Sequence, residues 1–456
     1  MRKGVMRVRN KVKSGILGLA VGDALGVPVE FTRRNELKDA PVTEMRGNGT
    51  HHQPKGTWSD DTSMTLCMMD SLKDGLNYND MMCKFVNFLE KGDYTAYGEV
   101  FDVGMTVEQA LINYRRGRKC LECGGGNKND NGNGSLMRIL PIAYYIVGAY
   151  GYDCDDQTIL TIVHNASALT HRHVRSQIAC GIYVMIAITL LKEGNLTYSI
   201  KQGIERAFSF YKNNRYTKDE LVFFARLKDE HFKTLDETKI KSSGYVVDTL
   251  EAAIWCLLTT NTYKECVLKA VNLGEDTDTV AAVAGGLAGI AYGIKGIPTK
   301  WLDVLAKRDY LEQLCYAFTE SIYAGNAKLL IAYKDILLKK EDKTYYQWDG
   351  EGKKEEEEDH DTSFAYPVYD EQIMAFLTTI QNTCYWSTHY IKILESYGVK
   401  ISMDLTETIS KADDVLLGAI LTAYIRKERF NDGLIASAIR HQVFHNILTR
   451  LEELHK

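Results

Sequence analysis

Proline is scarce in this chain, with six residues in 456. So few breakers leave room for long helices. Strict alternation of apolar and polar residues is also missing, and no run is long enough to predict a sheet. Nor is there a second cysteine pair. Cys120 and Cys123 stand at metal-like spacing, but no partner pair completes a zinc-finger pattern. The alternatives there are a metal or redox site and a tight glycine-rich turn with two reduced thiols, and the turn is the simpler one. The ten cysteines are scattered, mostly through apolar helical stretches, as expected of thiols in a reducing compartment. A net charge of −5 supplies no basic surplus for a dedicated nucleic-acid surface. The basic start "MRKGVMRVRNKVK" imitates an export signal. Asp23 interrupts the apolar stretch that follows, "SGILGLAVGDALGVPVEF", which is also short for a bilayer span. The expectation is a soluble cytoplasmic protein, with neither membrane nor nucleic acid among its partners.

What the chain does have is helical periodicity. "SMTLCMMDSLKDGL", "VRSQIACGIYVMIAITLLKEG" and "VDTLEAAIWCLLTT" repeat apolar residues every three to four positions. With 45% hydrophobic residues, a sizeable helical core is expected. The periodicity stops after residue 338. "KKEDKTYYQWDGEGKKEEEEDHDTS" is polar and aperiodic, with an acidic block at Glu355–Asp359, and reads as a linker over 339–362. Beyond it, 363–456 is amphipathic again and predicts a small helical domain, with Ile373, Phe376, Leu377 and Ile380 on one helix face. The reading is thus all-α, with a larger domain over 1–338 and a smaller one behind the linker. The smaller domain carries no acid–hydroxyl cluster, so partner choice or an oligomer contact is its expected role.

Two helices are rich in glycine. Gly15, Gly18, Gly22 and Gly26 form one stripe; Gly285, Gly289 and Gly293 form another. Each glycine costs a helix interior up to about 1 kcal/mol, so close helix–helix contact deep in one domain is the expected compensation.

The acids are placed unusually. "GTWSDDTSM" sets Asp60 and Asp61 side by side at the entrance to an apolar helix. One cap explains one acid; two carboxylates there suit a hard divalent cation. "NLGEDTDTVAAVAGGLAG" repeats the pattern with Glu275, Asp276, Asp278, Thr277 and Thr279. All-oxygen sets favour Mg²⁺, Mn²⁺ or Ca²⁺. "NDNGNGSLMR" brackets Asn133 with Gly132 and Gly134 ahead of Ser135. Its backbone N–H groups suit phosphate, although a turn with an N-cap explains it as well. It is neither a P-loop nor a dinucleotide fingerprint. His171 and His173 open a further helix, and Asp102 in "EVFDVG" stands at another helix start, where a simple cap is the alternative.

With "GLAVGDALGVPVEF", "GTWSDDTSM", "FDVG", "GNGSLMR", "LTHRH" and "NLGEDTDTVAAVAGGLAG" in this order, the chain resembles the ADP-ribosylglycohydrolases over about residues 12–325. This is the group that includes the dinitrogenase reductase-activating glycohydrolase. The resemblance implies an orthogonal all-helical bundle with a two-metal site for Mg²⁺ or Mn²⁺. It implies Ser59, Asp60, Asp61, Asp276, Asp278 and Thr279 as metal ligands. Gly132, Asn133, Gly134, Ser135 and Met137 would cradle the diphosphate, with His171 near phosphate and ribose and Tyr245 an aromatic near the substrate. Glu30 and Asp102 are the candidate acid/base carboxylates, undecided between them, and Asp61 joins them in the reacting set. Glu275 departs from the glycine common at its position. The C-terminal part resembles an uncharacterised helical module appended to some bacterial members. The implied activity is metal-dependent cleavage of the N-glycosidic bond of an ADP-ribosylated protein side chain, arginine first, with ADP-ribose released. The alternatives are another ADP-ribosyl linkage (serine, a nucleic-acid end or O-acetyl-ADP-ribose) and a non-catalytic ADP-ribose-binding immunity or regulatory protein.

Overall fold

A computed structural model describes residues 7–214, 216–338, 346–349, 366–387, 389–402 and 404–456. Among the described residues, the named elements are helices apart from one two-stranded ladder. It divides into two compact units, one of Val8–Ile146 and Cys154–Ser321, the other built chiefly of Val147–Asp153 and the described part of Ile322–Lys456.

The helices that build the larger unit are α1 (Arg7–Gly26), α2 (Asp60–Leu72), α3 (Tyr78–Lys91), α4 (Met105–Arg115), α5 (Leu140–Tyr150), α6 (Asp156–Ala168), α7 (Val174–Glu193), α8 (Leu196–Lys212), α9 (Val246–Leu258), α10 (Tyr263–Val271) and α11 (Thr277–Tyr292). The last helix of this unit, α12 (Arg308–Ile331), continues into the second one.

The two glycine stripes meet. A Cβ built on Gly18 would fall 2.5 Å from the carbonyl oxygen of Gly285, and one on Gly22 would fall 2.1 Å from that of Ala281. From the other side, Gly285 and Gly289 would strike the carbonyls of Gly18 and Ser14. Helices α1 and α11 therefore pack backbone against backbone, which only glycine permits. Gly293 is outside this contact. It ends α11 with φ 71°, a positive value that glycine adopts without a Cβ penalty. Gly15 faces the Tyr144 hydroxyl and Ile290.

By length and composition alone, Lys11–Val29 and Val174–Glu193 could cross a membrane, so the expectation that the first is too short is not upheld. Their apolar windows are 94% and 83% buried inside the protein. An apolar helix sealed on all sides is a core helix.

In the second unit, α13 (Glu371–Gln381), α14 (Tyr390–Tyr397), α15 (Asp414–Glu428), α16 (Leu434–Arg440) and α17 (Val443–Leu454) surround a core that includes Ile373, Phe376, Leu377 and Ile380. Within the stretch read as linker, β1 (Tyr346–Asp349) pairs antiparallel with β2 (Tyr366–Tyr369). The acidic block Glu355–Asp359 lies outside the described residues. Compactness changes near Ile322, not at the polar break after 338. The cause is the end of α12: the Asn326 side chain donates to the Val147 and Gly148 carbonyls and accepts from Cys384 N–H, all inside this second unit.

The α1–α11 contact makes a signed prediction. By propensity, Gly22→Ala should stabilise a helix by about 1 kcal/mol. Here the added methyl meets a carbonyl, and overpacking should reverse the sign and cost about 1–3 kcal/mol. Denaturant unfolding of the variant decides, and an unchanged or raised midpoint refutes the backbone contact.

Candidate active site

The paired acids of "SDDTS" are not spent on capping. Ser59 is the N-cap of α2, and its hydroxyl accepts from Asp61 N–H at 3.3 Å. Asp23, from α1, completes the cap. Its Oδ1 accepts from Ser59 N–H at 2.9 Å, and its Oδ2 accepts from Thr62 N–H at 3.0 Å and the Thr62 hydroxyl at 2.6 Å. With the orphan N–H groups of the helix start served this way, Asp60 is left to line a cavity. Asp61 keeps one oxygen, Oδ2, on the Ser59 and Thr279 hydroxyls.

The second acid motif arrives through the glycine contact. Gly26 lies against the backbone of Asp278, so the start of α11 sits beside the end of α1. Asp276 Oδ2 accepts from Asn133 Nδ2 at 2.8 Å. Asp278 is fully buried, with Oδ1 accepting from Thr279 N–H. Carboxylate oxygens of Asp23, Asp61 and Asp278 lie within 4.8 Å of one another, as do those of Glu30, Asp276 and Asp278.

Three buried oxygens in this cluster have no hydrogen-bond partner among the described residues: Asp61 Oδ1, Asp276 Oδ1 and Asp278 Oδ2. Buried, unpaired carboxylate oxygens are costly. Burial, followed by the charges of neighbouring acids, pushes Asp60, Asp61 and Asp278 well above the usual carboxylate range. Burial raises Asp23 to about 6 against the hydrogen bonds from Thr62 and Ser59. It raises Glu30 to about 8 with help from Asp276, and Asp102 to about 8 with help from Glu30. A hard divalent cation takes such oxygens as ligands and reverses this pressure. The donor set fits one.

The cavity has a volume of about 310 Å³. Glu30, Asp60, Asp102, Asp276 and Thr279 line its acidic part. Gly132, Asn133, Gly134, Met137 and His171 line the rest, and the Asn133–Asp276 bond joins the two. The loop is shaped by Asn133, whose N–H donates to Gly244 O while its carbonyl accepts from Leu136 and Met137 N–H. The N–H groups of Gly134 and Ser135 have no acceptor among the described residues, and successive free N–H groups suit an anion. A Cβ on Gly134 would lie 2.9 Å from His171 Cε1, so glycine lets the loop rest on that ring.

His171 is held by a relay that sequence reading missed. Arg138, fully buried over the Phe85 ring, donates from Nη2 to the Thr170 hydroxyl at 2.8 Å. That hydroxyl is 2.9 Å from His171 Nδ1. Having accepted from Arg138, Thr170 still has its own proton to offer Nδ1, the arrangement that puts the ring proton on Nε2. Burial lowers the imidazole to about 3, so a neutral ring faces the cavity.

Two expected substrate residues do not line the cavity. The Ser135 side chain turns away from the cavity, with its hydroxyl 2.9 Å from Ser167 Oγ and 3.5 Å from Cys180 Sγ. Only its backbone N–H is available. Tyr245 precedes α9 and does not line the cavity; its hydroxyl accepts from Arg175 Nη1 at 2.9 Å. His173 is the N-cap of α7. The Cys120–Cys123 pair is a turn: the buried Cys123 thiol donates to the Lys119 carbonyl, and both thiols are free. Asp23, Arg138, Thr170 and His51, which bonds Glu30, were not singled out as site residues. For Asp23 the signal was visible, a lone acid inside an apolar glycine helix.

Comparison with known proteins agrees with this geometry. The family described as ADP-ribosylglycohydrolase matches residues 5–327, and a family of unknown function (DUF6508) matches residues 326–456. The chain is 33% identical over 319 residues to the ADP-ribosylarginine hydrolase Tri1 of Serratia proteamaculans (strain 568), covering 68% of this chain and 80% of that protein. It is 31% identical over 302 residues to the ADP-ribosyl-[dinitrogen reductase] glycohydrolase of Rhodospirillum rubrum, covering 65% and 91%. A solved structure described as an ADP-ribosylglycohydrolase-related protein complex superposes with a TM-score of 0.57 at 30% identity, covering 69% of this chain and 99% of that one. The fold and the acidic cavity are those of a hydrolase of glycosidic bonds. The chain belongs to the ADP-ribosylglycohydrolase family.

Two predictions follow from the site. Glu30 and Asp102, ordinarily at 4.5 and 3.8, are both held at about 8. A raised folded-state value means the folded protein binds the proton more tightly. That stability is complete below about pH 4 and is lost as pH rises through about 8. In chelator, the wild type should therefore lose melting temperature relative to Asp102→Asn across this window, and parallel profiles contradict it. Separately, Glu275 is exposed with φ 62°, a left-handed conformation costing a non-glycine residue roughly 1 kcal/mol. Glu275→Gly should raise stability by about that amount, and a loss on thermal unfolding refutes the strain.

Proposed function

We propose that this protein cleaves the N-glycosidic bond between ADP-ribose and an arginine side chain of a modified protein, releasing ADP-ribose. We place two Mg²⁺ or Mn²⁺ ions at the acidic cluster, held by Ser59, Asp60, Asp61, Asp276, Asp278 and Thr279. The observation that carries this is the set of three buried carboxylate oxygens with no partner among the described residues, beside a cavity that the glycine loop lines. Arginine as the linkage is supported by the names of two relatives, both ADP-ribosylarginine hydrolases, at 33% and 30% identity.

When bound, such ions polarise ribose oxygens and make a water nucleophile available near neutral pH. The chain's own residues do the rest. The N–H groups of Gly134 and Ser135 receive the diphosphate and so fix the sugar. His171 offers its Nε2–H to an oxygen of the substrate. Glu30 and Asp102 line the cavity outside the proposed ligand set, placed for acid/base work. A carboxylate at the same place stabilises the positive charge of an oxocarbenium-like transition state. Phe31 and Met105 line the cavity yet are 66% and 87% exposed, and present an apolar rim to the modified protein. The ten free thiols support a reducing, cytoplasmic location. The C-terminal unit is left with partner choice or assembly as its part.

The test is release of ADP-ribose from ADP-ribosyl-arginine, ADP-ribosyl-serine and O-acetyl-ADP-ribose, with and without Mg²⁺. Arginine should be the preferred linkage. Chelator should abolish turnover, and Mg²⁺ or Mn²⁺, but not Zn²⁺ alone, should restore it. Asp60→Ala and Asp276→Ala should each lose essentially all activity while remaining folded. Wild-type turnover by either at saturating Mg²⁺ sinks the metal assignment.

A further inference from the structure

Glu30 is held by a loop that no motif announced. The short turn Gly49–His51 lies against the turn Val27–Val29, which ends on Glu30. The fit is tight, since a Cβ on Gly49 would fall 1.8 Å from the Pro28 carbonyl oxygen. Asn48, Gly49 and His52 all have positive φ, at 64°, 66° and 54°. Asn48 N–H donates to Gln53 O at 2.7 Å and closes the loop. Strained backbone of this kind persists only where its surroundings fix it.

Two neighbouring residues of this loop reach Glu30. The Thr50 hydroxyl donates to the Glu30 carbonyl at 2.7 Å. His51 Nε2 lies 2.5 Å from Glu30 Oε2. The His51 ring is itself bracketed, with ring centroids 6.1 Å from Phe31 and 5.1 Å from Phe101. Its side chain is 14% exposed and that of Glu30 is 4% exposed. His51 is absent from the cavity lining while Glu30 is part of it. Asp102 lies within 4.8 Å of both, yet the imidazole bonds Glu30.

We infer that His51 is the positioning residue of the reaction: its Nε2–H fixes the Glu30 carboxylate in the cavity, and Glu30, not Asp102, is the carboxylate held in place for the glycosidic bond. A glutamate side chain has several rotamers to lose, and the negative charges of Asp276 and Asp23 push it from the site. A donor locked between two aromatic rings opposes both effects. The inference rests on the hydrolase reading above, and it adds a residue that neither acid motif contains.

Four variants and one spectrum test it. His51→Phe keeps a ring between Phe31 and Phe101 but removes the donor; kcat should fall about 10–100-fold, with KM and ADP-ribose affinity nearly unchanged. His51→Gln restores an N–H and should recover most of the loss. His51→Phe added to Glu30→Gln should cost little beyond Glu30→Gln alone, because both remove one interaction. A His51→Phe variant with wild-type kcat, a loss confined to KM, or a glutamine variant no better than phenylalanine overturns the inference. In the wild type, the His51 Nε2 proton should resonate far downfield in an imidazole ¹H–¹⁵N spectrum and move upfield in Glu30→Gln. If no substrate is hydrolysed, the hydrolase reading fails, and the spectrum alone decides whether His51 holds Glu30. An unshifted proton overturns the inference whatever the enzyme turns over.

Discussion

The close approach of α1 and α11 is the constraint on which the site depends. Gly18, Gly22 and Gly26 meet the backbone of α11, and no side chain separates the two helices. That spacing sets Asp23 at the cap of α2 and sets Asp278 beside Asp61. A single methyl in this contact would part the helices, and with them the two acid motifs. The glycines thus trade helix propensity for the placement of carboxylates.

The second constraint is charge. Six carboxylates, those of Asp23, Glu30, Asp60, Asp61, Asp276 and Asp278, are gathered from four segments of chain. Each is raised by burial. Such a cluster strains the fold unless protons or cations join it. Capping by Ser59 and Asp23 and tethering by Asn133 keep the cluster in register while leaving oxygens free. Folding and chemistry therefore make opposite demands on the same atoms, and the hydrogen bonds of neutral neighbours reconcile them.

Much of this was legible in the sequence. The glycine stripes predicted a deep helix pair because a period of three to four leaves one bare face. The two acid–hydroxyl motifs together pointed to a hard cation, since two adjacent acids exceed what a cap needs, and the family resemblance implied that they share one site. What was not legible has a common physical character. Arg138, Thr170 and His51 act across long sequence separations, and no local pattern marks a residue whose partner is distant. The direction of the Ser135 side chain was hidden for another reason: it depends on packing against Ser167 and Cys180, which its place in the motif does not reveal. The junction near Ile322 was hidden because α12 continues through it without a change in periodicity. The Tyr346–Asp349 strand is too short to alternate recognisably.

Arg138 has a consequence for the environment in which the cavity works. Its guanidinium is sealed beneath the loop, with a thioether, a carbonyl and a hydroxyl as its partners and no carboxylate among them. Dissolved counterions reach surface lysines and weaken them within a Debye length of about 8 Å at physiological ionic strength. They do not enter a dry interior. The share of the cavity's pull on an anion that comes from Arg138 is therefore a fixed property of the folded chain. It changes far less than the pull of a surface charge as the salt around the protein rises and falls.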